Sequence, residues 1–188
     1  MQQQRIVGVM GIEGAGKSSL VKLLSDDESI EIGHDLSSRS TRTCPSLPFE
    51  VDGQMVALVD TYGIDGSREE SERLVVKRIE TCFRTAEKEG SQRAGLLWLH
   101  DISRDGPHMI TDDTVKSLAD LCATPDLHRL RIVTTRWESV PQVMALESEA
   151  QLRSGSFKQL LDAGAQMERH YGTLDSGRQI LSRLLKDN

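Results

Sequence analysis

Paired cysteines are missing from this chain of 188 residues: Cys44, Cys82 and Cys122 form no CxxC pair and leave one unmatched even if two were joined. That excludes a disulfide scaffold and suits a reducing compartment. Long hydrophobic runs are missing too. No stretch approaches the roughly 20 apolar residues of a membrane span. The apolar start Ile6 to Met10 is too short for a secretory signal core, and the tail Ser182 to Asn188 shows no lipidation signal. The expectation is a cytoplasmic protein with no direct membrane insertion. An excess of basic residues is also lacking: the net charge is -6 and the pI about 5.4, which argues against a nucleic-acid partner. His34, His100, His108, His128 and His170 have no metal-ligand spacing, and no Ser/His/Asp or Cys/His constellation stands out. No internal repeat or low-complexity linker divides the chain, so one domain over 1–188 is expected.

Against these absences stands GIEGAGKSS, Gly11 to Ser19, which fits the phosphate-loop pattern G-x-x-x-x-G-K-[ST]. Arg5 to Met10 before it reads as a short buried strand, and Ser18 to Leu24 after it carries helical apolar spacing. In a strand, glycine loop and helix, loop amides point at phosphate oxygens and the positive helix end adds attraction. The candidate contacts are Glu13, Gly14, Ala15, Gly16, Lys17, Ser18 and Ser19. Lys17 is expected to reach the β and γ phosphates, and the Ser18 hydroxyl to ligate Mg²⁺.

Strand and helix patterns alternate along the rest of the chain. They predict a three-layer α/β phosphate-loop fold with a mostly parallel sheet and one antiparallel edge strand. Asp52-Gly53 between Leu47–Val51 and Gln54–Asp60 is a two-residue hairpin signal, which supplies that antiparallel pair. A long amphipathic helix is expected over Ser67 to Glu89, with Leu74, Val75, Ile79, Cys82, Phe83 and Ala86 near one face. Ala94 to Leu99 reads as a strand, Thr111 to Ala123 as a helix and Arg129 to Thr134 as a strand. Pro141 to Gly164 reads as one or two helices, Ala165 to Arg169 as a short strand and Thr173 to Lys186 as a closing helix.

Three further pieces fall at strand ends, where ligands of open α/β sheets bind. Asp60-Thr61-Tyr62-Gly63 follows one strand: Asp60 can hold a Mg²⁺-bound water, and Gly63 can offer an amide to a γ phosphate. Thr134 to Glu138 (TTRWE) follows another. The Glu138 carboxylate can accept from N1–H and the 2-amino group of guanine, while the Arg136 stem packs on the base. Thr135 belongs to the same motif. A plain surface ion pair of Arg136 and Glu138 is the alternative. The third piece is the polar stretch Ser25 to Ser46, too long for an ordinary connector. Within it Thr41, with Ser40 next, can ligate Mg²⁺ when a γ phosphate is present; a solvated Ser/Thr loop fits these residues as well.

In sum, GIEGAGKSS, SRSTRTC (Ser38 to Cys44), DTYG and TTRWE resemble the avirulence-induced or immunity-associated (AIG-like) GTPases, relatives of septins and chloroplast import GTPases. AGLLWLHDIS (Ala94 to Ser103) and IVTTRWESV (Ile132 to Val140) are similar to the fungal branch. The resemblance implies GTP and GDP binding, Mg²⁺ dependence and nucleotide-dependent homodimerisation across the nucleotide face. It also implies catalytic roles for Lys17, Thr41 and Gly63, with Ser18, Thr41 and Asp60 around the metal. The chain departs from the family pattern at Tyr62, where a proline is usual, at Glu138, where an aspartate is usual, and at Glu13 in the phosphate loop. Ile64 stands where Ras-like GTPases carry the glutamine that orients water, so slow hydrolysis is expected, with Arg39, Arg42 or a residue from a second copy as candidate sources of positive charge. Two other readings stay open: a nucleotide-binding interaction module that hydrolyses nothing, and a small-molecule kinase using ATP.

Overall fold

The structure is a computed structural model, and it describes residues 3–30, 45–64, 69–104, 112–122 and 127–187. Six strands form one sheet in the order β2-β3-β1-β4-β5-β6. They are β1 (Arg5–Gly11), β2 (Phe49–Val51), β3 (Gln54–Val59), β4 (Gln92–Asp101), β5 (Leu130–Thr135) and β6 (Gln166–Arg169). All neighbouring pairs are parallel except β2 with β3. That hairpin turns at Asp52 and Gly53, both with positive φ (50° and 78°), as a turn matched to strand twist requires. The three-layer α/β fold with one antiparallel edge strand is therefore as expected.

The helices are α1 (Lys17–Ser25), α2 (Glu69–Lys88), α3 (Asp112–Cys122), α4 (Gln142–Ser154), α5 (Lys158–Asp162) and α6 (Leu174–Lys186). The central strands are buried on both faces, which is why they read as continuous apolar runs. On one face Ile6, Met10, Leu96 and Ile132 pack with Ile79 and Phe83 of α2 and with Leu118 and Leu121 of α3. On the other, Val7, Val9, Leu58, Leu97 and Val133 meet Leu20 and Leu24 of α1 and Ile180, Leu181 and Leu184 of α6.

Two expectations about helices are refined. The α2 stripe is narrower than its spacing predicts: Val75, Ile79, Phe83 and Ala86 are buried, but Leu74 is 57% exposed. Leu74 lies one residue, about 100° of helix, from Val75 and so falls at the edge of the stripe. The segment left open as one or two helices is two, because the backbone at Gly155 (φ −115°, ψ −106°) leaves helical geometry.

β1 is the switch point of the sheet. The chain goes from it to β3 on one side and then to β4 on the other. Connections leave in opposite directions there, opening a crevice outside the strand ends, where ligands of such sheets bind. The carboxyl ends of β1, β3, β4 and β5 carry the phosphate loop, Asp60, Asp101 and Thr135 to that crevice.

Candidate functional site

The glycine loop takes the backbone conformation its sequence requires. Gly14 and Gly16 have φ of 77° and 89°, a region open to glycine at little cost. α1 starts after Gly16 with no side-chain cap. The first amides of that helix are thus left for an external anion, and the helix end adds its partial positive charge. Lys17 is buried, and its Nζ donates to the Ile12 carbonyl at 2.8 Å, folding the side chain back over the loop. Burial lowers its pKa to about 8, opposed by the charges of Asp60 and Glu13 and assisted by that of Arg104.

Asp60 follows β3 and is 5% exposed. Neither carboxylate oxygen has a hydrogen-bond partner of good geometry. Burial raises its pKa, while Ser18 and Lys17 favour the ionised form. A buried, unpaired carboxylate costs several kcal/mol in the absence of a counter-charge. The oxygen donors of Ser18 and Asp60, with Lys17 beside them, are the hard ligands that Mg²⁺ takes together with water and phosphate oxygens. On the donor chemistry and the orphaned carboxylate, the residues fit that ion.

Thr61 is buried and its Oγ1 donates to the Val9 carbonyl at 2.6 Å, fastening the start of this motif to β1. Gly63 then passes so close to the phosphate loop that a Cβ on it would lie 2.4 Å from the Glu13 Cα. Only glycine fits that approach. Ile64 completes the contact: its N–H donates to the Gly11 carbonyl at 3.0 Å and its carbonyl accepts from the Glu13 N–H at 3.3 Å. The Ile64 side chain is 7% exposed and packs in the core with Val59 and Val75. Tyr62, which occupies the place of the usual proline, lies under the Arg78 guanidinium of α2, 4.4 Å from its ring centroid. The Glu13 side chain is exposed.

The TTRWE motif lies at the end of β5. Thr135 Oγ1 is hydrogen-bonded to the Ala15 carbonyl at 3.0 Å and to the His100 carbonyl at 3.3 Å, so this threonine braces the phosphate loop. Arg136 has a positive φ of 63° and is exposed. Trp137 is buried beneath the Arg169 guanidinium, and Glu138 is exposed in the short 3₁₀ turn Trp137–Ser139. Beside them runs the stretch 170–176. His170 N–H donates to the Thr134 carbonyl at 2.8 Å, and Ser176 Oγ lies 2.9 Å from His170 Nδ1. Burial holds His170 below its ordinary pKa, opposed by the Glu138 charge. Glu138, Trp137, Val140, Leu146, Arg169 and Tyr171 share the wall of a cavity of about 380 Å³.

The structure therefore brings together Glu13, Gly14, Ala15, Gly16, Lys17, Ser18, Asp60, Gly63 and Thr135 at the phosphate end. Arg136 and Glu138 stand on the adjoining loop, and Ser19 is exposed on the first turn of α1. Thr41, Ser40, Arg39 and Arg42 lie outside the described residues. Sequence reading did not single out Arg104, just beyond β4, whose Nη1 donates to the Glu13 carbonyl at 2.8 Å. Its place after a parallel strand was the available signal. The hydrogen bonds of the stretch His170 to Ser176 depend on β5 and could not be read from that stretch alone.

A model of the family described as 50S ribosome-binding GTPase matches residues 6–126. The chain belongs to this GTPase family. The tRNA modification GTPase MnmE of Rhizobium etli (strain CIAT 652) is 30% identical over 146 residues, covering 74% of this chain and 31% of that protein. The chain thus spans under a third of that curated relative. Among solved structures, Toc33 from Arabidopsis thaliana in complex with GDP and Mg²⁺ superposes with a TM-score of 0.60 at 12% identity, over 99% of this chain and 84% of that one. A second, from work on dimerization in the GTPase activity of the chloroplast translocon components atToc33 and psToc159, has a TM-score of 0.64 at 11% identity, over 99% and 83%. At these identities the structural likeness is one of fold. Family membership supports binding of GTP and GDP by the site described above.

Proposed function

We infer that this GTPase-family chain is a Mg²⁺-dependent guanine-nucleotide switch of the AIG-like group, fungal branch, acting in the cytoplasm. It hydrolyses GTP slowly and pairs with a second copy through its nucleotide face. The observation that carries the reading is Asp60: a buried carboxylate without a good partner, next to Lys17 and Ser18 at the mouth of an uncapped helix. Ser18 and Asp60 would hold Mg²⁺, which supplies positive charge to the β and γ phosphate oxygens. Lys17 leaves the Ile12 carbonyl for the phosphates, and the loop amides bind their oxygens.

Hydrolysis forms a bond from water to the γ phosphorus and breaks the bond to the bridging oxygen. GDP leaves with that electron pair, and the water proton passes to the released phosphate or to solvent. This chain positions the reaction through Lys17, the loop amides and Gly63. No water-orienting amide side chain follows Gly63, since Ile64 is buried in the core. That supports a low intrinsic rate. Thr41 is the proposed γ-phosphate-dependent ligand from the long loop. Arg136 and Glu138 are the proposed base contacts, the longer Glu138 carboxylate still accepting two hydrogen bonds from guanine. The homodimer is supported by the fold shared with Toc33, for which dimerization is described as important to GTPase activity.

The test is thermal unfolding of nucleotide-stripped protein with GDP, a non-hydrolysable GTP analogue and ATP, each with and without Mg²⁺. A ligand at a hundred times its dissociation constant adds about 2.7 kcal/mol. Guanine-selective, Mg²⁺-dependent stabilisation that disappears in Lys17→Ala is expected. Stabilisation by ATP alone would favour the kinase reading, and tight GTP binding with no phosphate release at any protein concentration would leave a non-hydrolysing interaction module.

A further inference from the structure

Arg136 and Glu138, the proposed base contacts, flank Trp137 on a turn that does not hold itself. Arg136 sits in the left-handed region at φ 63° and ψ 32°, which a residue with a side chain keeps only where its surroundings impose it. The neighbouring indole supplies the constraint. Trp137 is 9% exposed, and its Nε1 donates to the Thr134 carbonyl at 3.2 Å and to Thr134 Oγ1 at 3.1 Å, tying the turn back to the end of β5. Packing alone does not fix that ring: beside it lies the cavity of about 380 Å³, bounded also by Val140, Leu146 and Tyr171, space that an unpinned indole can enter. A cation covers the ring instead. The Arg169 guanidinium, at the end of β6, lies 4.6 Å from the indole centroid.

Arg169 is in turn aimed by a buried carboxylate. Its Nε donates to Glu149 Oε1 at 3.2 Å and its Nη2 donates to Oε2, the paired geometry of a planar fork on a carboxylate. Glu149 is 4% exposed, and with Ala145 one turn before it makes up the buried face of α4; Ala145 itself packs in one cluster with Trp137. Arg153 also reaches Glu149 Oε1, at 3.4 Å, and Tyr171 adds a hydrogen bond to the Arg169 guanidinium. A buried ion pair is weak support for stability, because desolvation offsets the attraction; what the fork adds is direction. We propose that Glu149 and Arg169 are positioning residues for base selection: Glu149 aims the Arg169 guanidinium at the Trp137 indole, and the pinned indole holds Glu138 where its carboxylate meets the guanine edge. The proposal rests on the reading of Glu138 as the guanine acceptor. Neither positioning residue touches the nucleotide. Two carboxylates divide the task, the buried Glu149 fixing the frame and the exposed Glu138 making the contact.

The experiment measures dissociation constants of GDP, inosine diphosphate and ADP with Mg²⁺, for the unaltered full chain and for Glu149→Gln, Arg169→Lys, Trp137→Phe and Glu138→Ala. The three bases offer the Glu138 carboxylate two donors, one and none, while the phosphates are common to all. The unaltered chain should prefer GDP in that order, and Glu138→Ala should abolish the preference. Glu149→Gln keeps the shape but cannot accept from both guanidinium N–H groups; Arg169→Lys keeps the charge without the plane. Each is expected to weaken GDP about tenfold, inosine diphosphate about threefold and ADP not at all. Trp137→Phe leaves the buried ion pair intact and removes the Nε1 donor, so the same graded loss is expected without disturbing a buried charge. If Glu149→Gln and Arg169→Lys keep the full preference for GDP, whatever their melting temperatures, the pair only fastens α4 to β6 and the proposal is overturned. Equal weakening of all three nucleotides also overturns it, because the effect would then lie at the phosphate end or in the fold. An unaltered chain without preference for GDP over inosine diphosphate, or a preference that survives Glu138→Ala, would instead overturn the reading of Glu138, and this proposal with it.

Discussion

Both ends of β5 and its neighbours bury charge, but they treat it in opposite ways. At the far side, Arg131 is fully buried in β5 and surrounded by acceptors: its Nη1 donates to the His128 carbonyl at 2.7 Å, and its Nη2 donates to the Asp187 carboxylate and the Arg183 carbonyl. Glu168 of β6 lies 3.9 Å from its Nε and also accepts from Arg183. At the phosphate end Asp60 is equally buried with no good partner, and Lys17 rests on a backbone carbonyl. Paired buried charges close a structure. Charges left without a hydrogen-bonded counter-ion in the same sheet mark where ligand charge is received.

The largest way to break this contrast is at the closed end. Arg131→Met removes the cation from a buried cluster and leaves Glu168 and Asp187 partly uncompensated. Breaking a buried pair costs about 3–5 kcal/mol. The expected result is an unfolding free energy lower by that amount, read from a lower urea midpoint at unchanged m, with nucleotide affinity of the folded protein unchanged. A loss of nucleotide affinity comparable to the loss of stability would show that the two ends are coupled rather than separate.

At the open end the same operation has the reverse sign. Burial raises the Asp60 pKa, so the folded state holds its proton more tightly than the unfolded one. Its favourable contribution is present at low pH and is lost as pH rises through the folded value; at neutral pH the ionised group is a burden. Asp60→Asn should therefore stabilise the nucleotide-free protein, by on the order of 1 kcal/mol. It should also abolish the Mg²⁺-dependent part of nucleotide stabilisation, which is up to about 2.7 kcal/mol at a hundred times the dissociation constant. Thermal melts with and without Mg²⁺ read both. A variant that melts lower without nucleotide would mean Asp60 is a structural residue after all.

Lys17 sharpens the contrast through pH. In the free protein burial brings it to about 8, while bound phosphates favour its charged form. Binding then takes up a proton above that pH, so affinity is level below about pH 8 and falls above it by up to tenfold, about 1.4 kcal/mol, per unit. Calorimetry at pH 9 in buffers of different ionisation enthalpy should show the proton uptake. Level affinity from pH 7 to pH 9.5 would place Lys17 away from the phosphates.

How much of this was legible follows from the range of each interaction. The strand, glycine loop and helix around Lys17 are local, and so is the Asp52-Gly53 hairpin; each was read with its correct neighbours. The mostly parallel sheet with its one antiparallel edge strand followed from alternation and from that hairpin, whereas the order of the strands was not read. Arg131 was not legible as a buried cation, because nothing near it in sequence shows that Asp187 and Glu168 converge on it. Arg104 escaped for the same reason: the Glu13 carbonyl it meets is far away along the chain. Leu74 failed in the other direction, since helical spacing names a stripe but not how wide the sheet will cover it.

Thr135 offers the finest test, because it stands between the two regions. It was read as part of a base-recognition motif, and its hydroxyl is spent on the Ala15 and His100 carbonyls. Thr135→Val keeps the shape and removes the donor, leaving the Ala15 carbonyl at the edge of the phosphate loop less well held. The net worth of such a hydrogen bond is about 1 kcal/mol. If the threonine is a brace, GDP and GTP-analogue affinities fall together by about fivefold, the equivalent of that energy, and the preference for guanine over adenine nucleotides is unchanged. A selective loss of guanine preference would return Thr135 to the base and leave the phosphate loop to hold its own shape through Gly63 and Ile64.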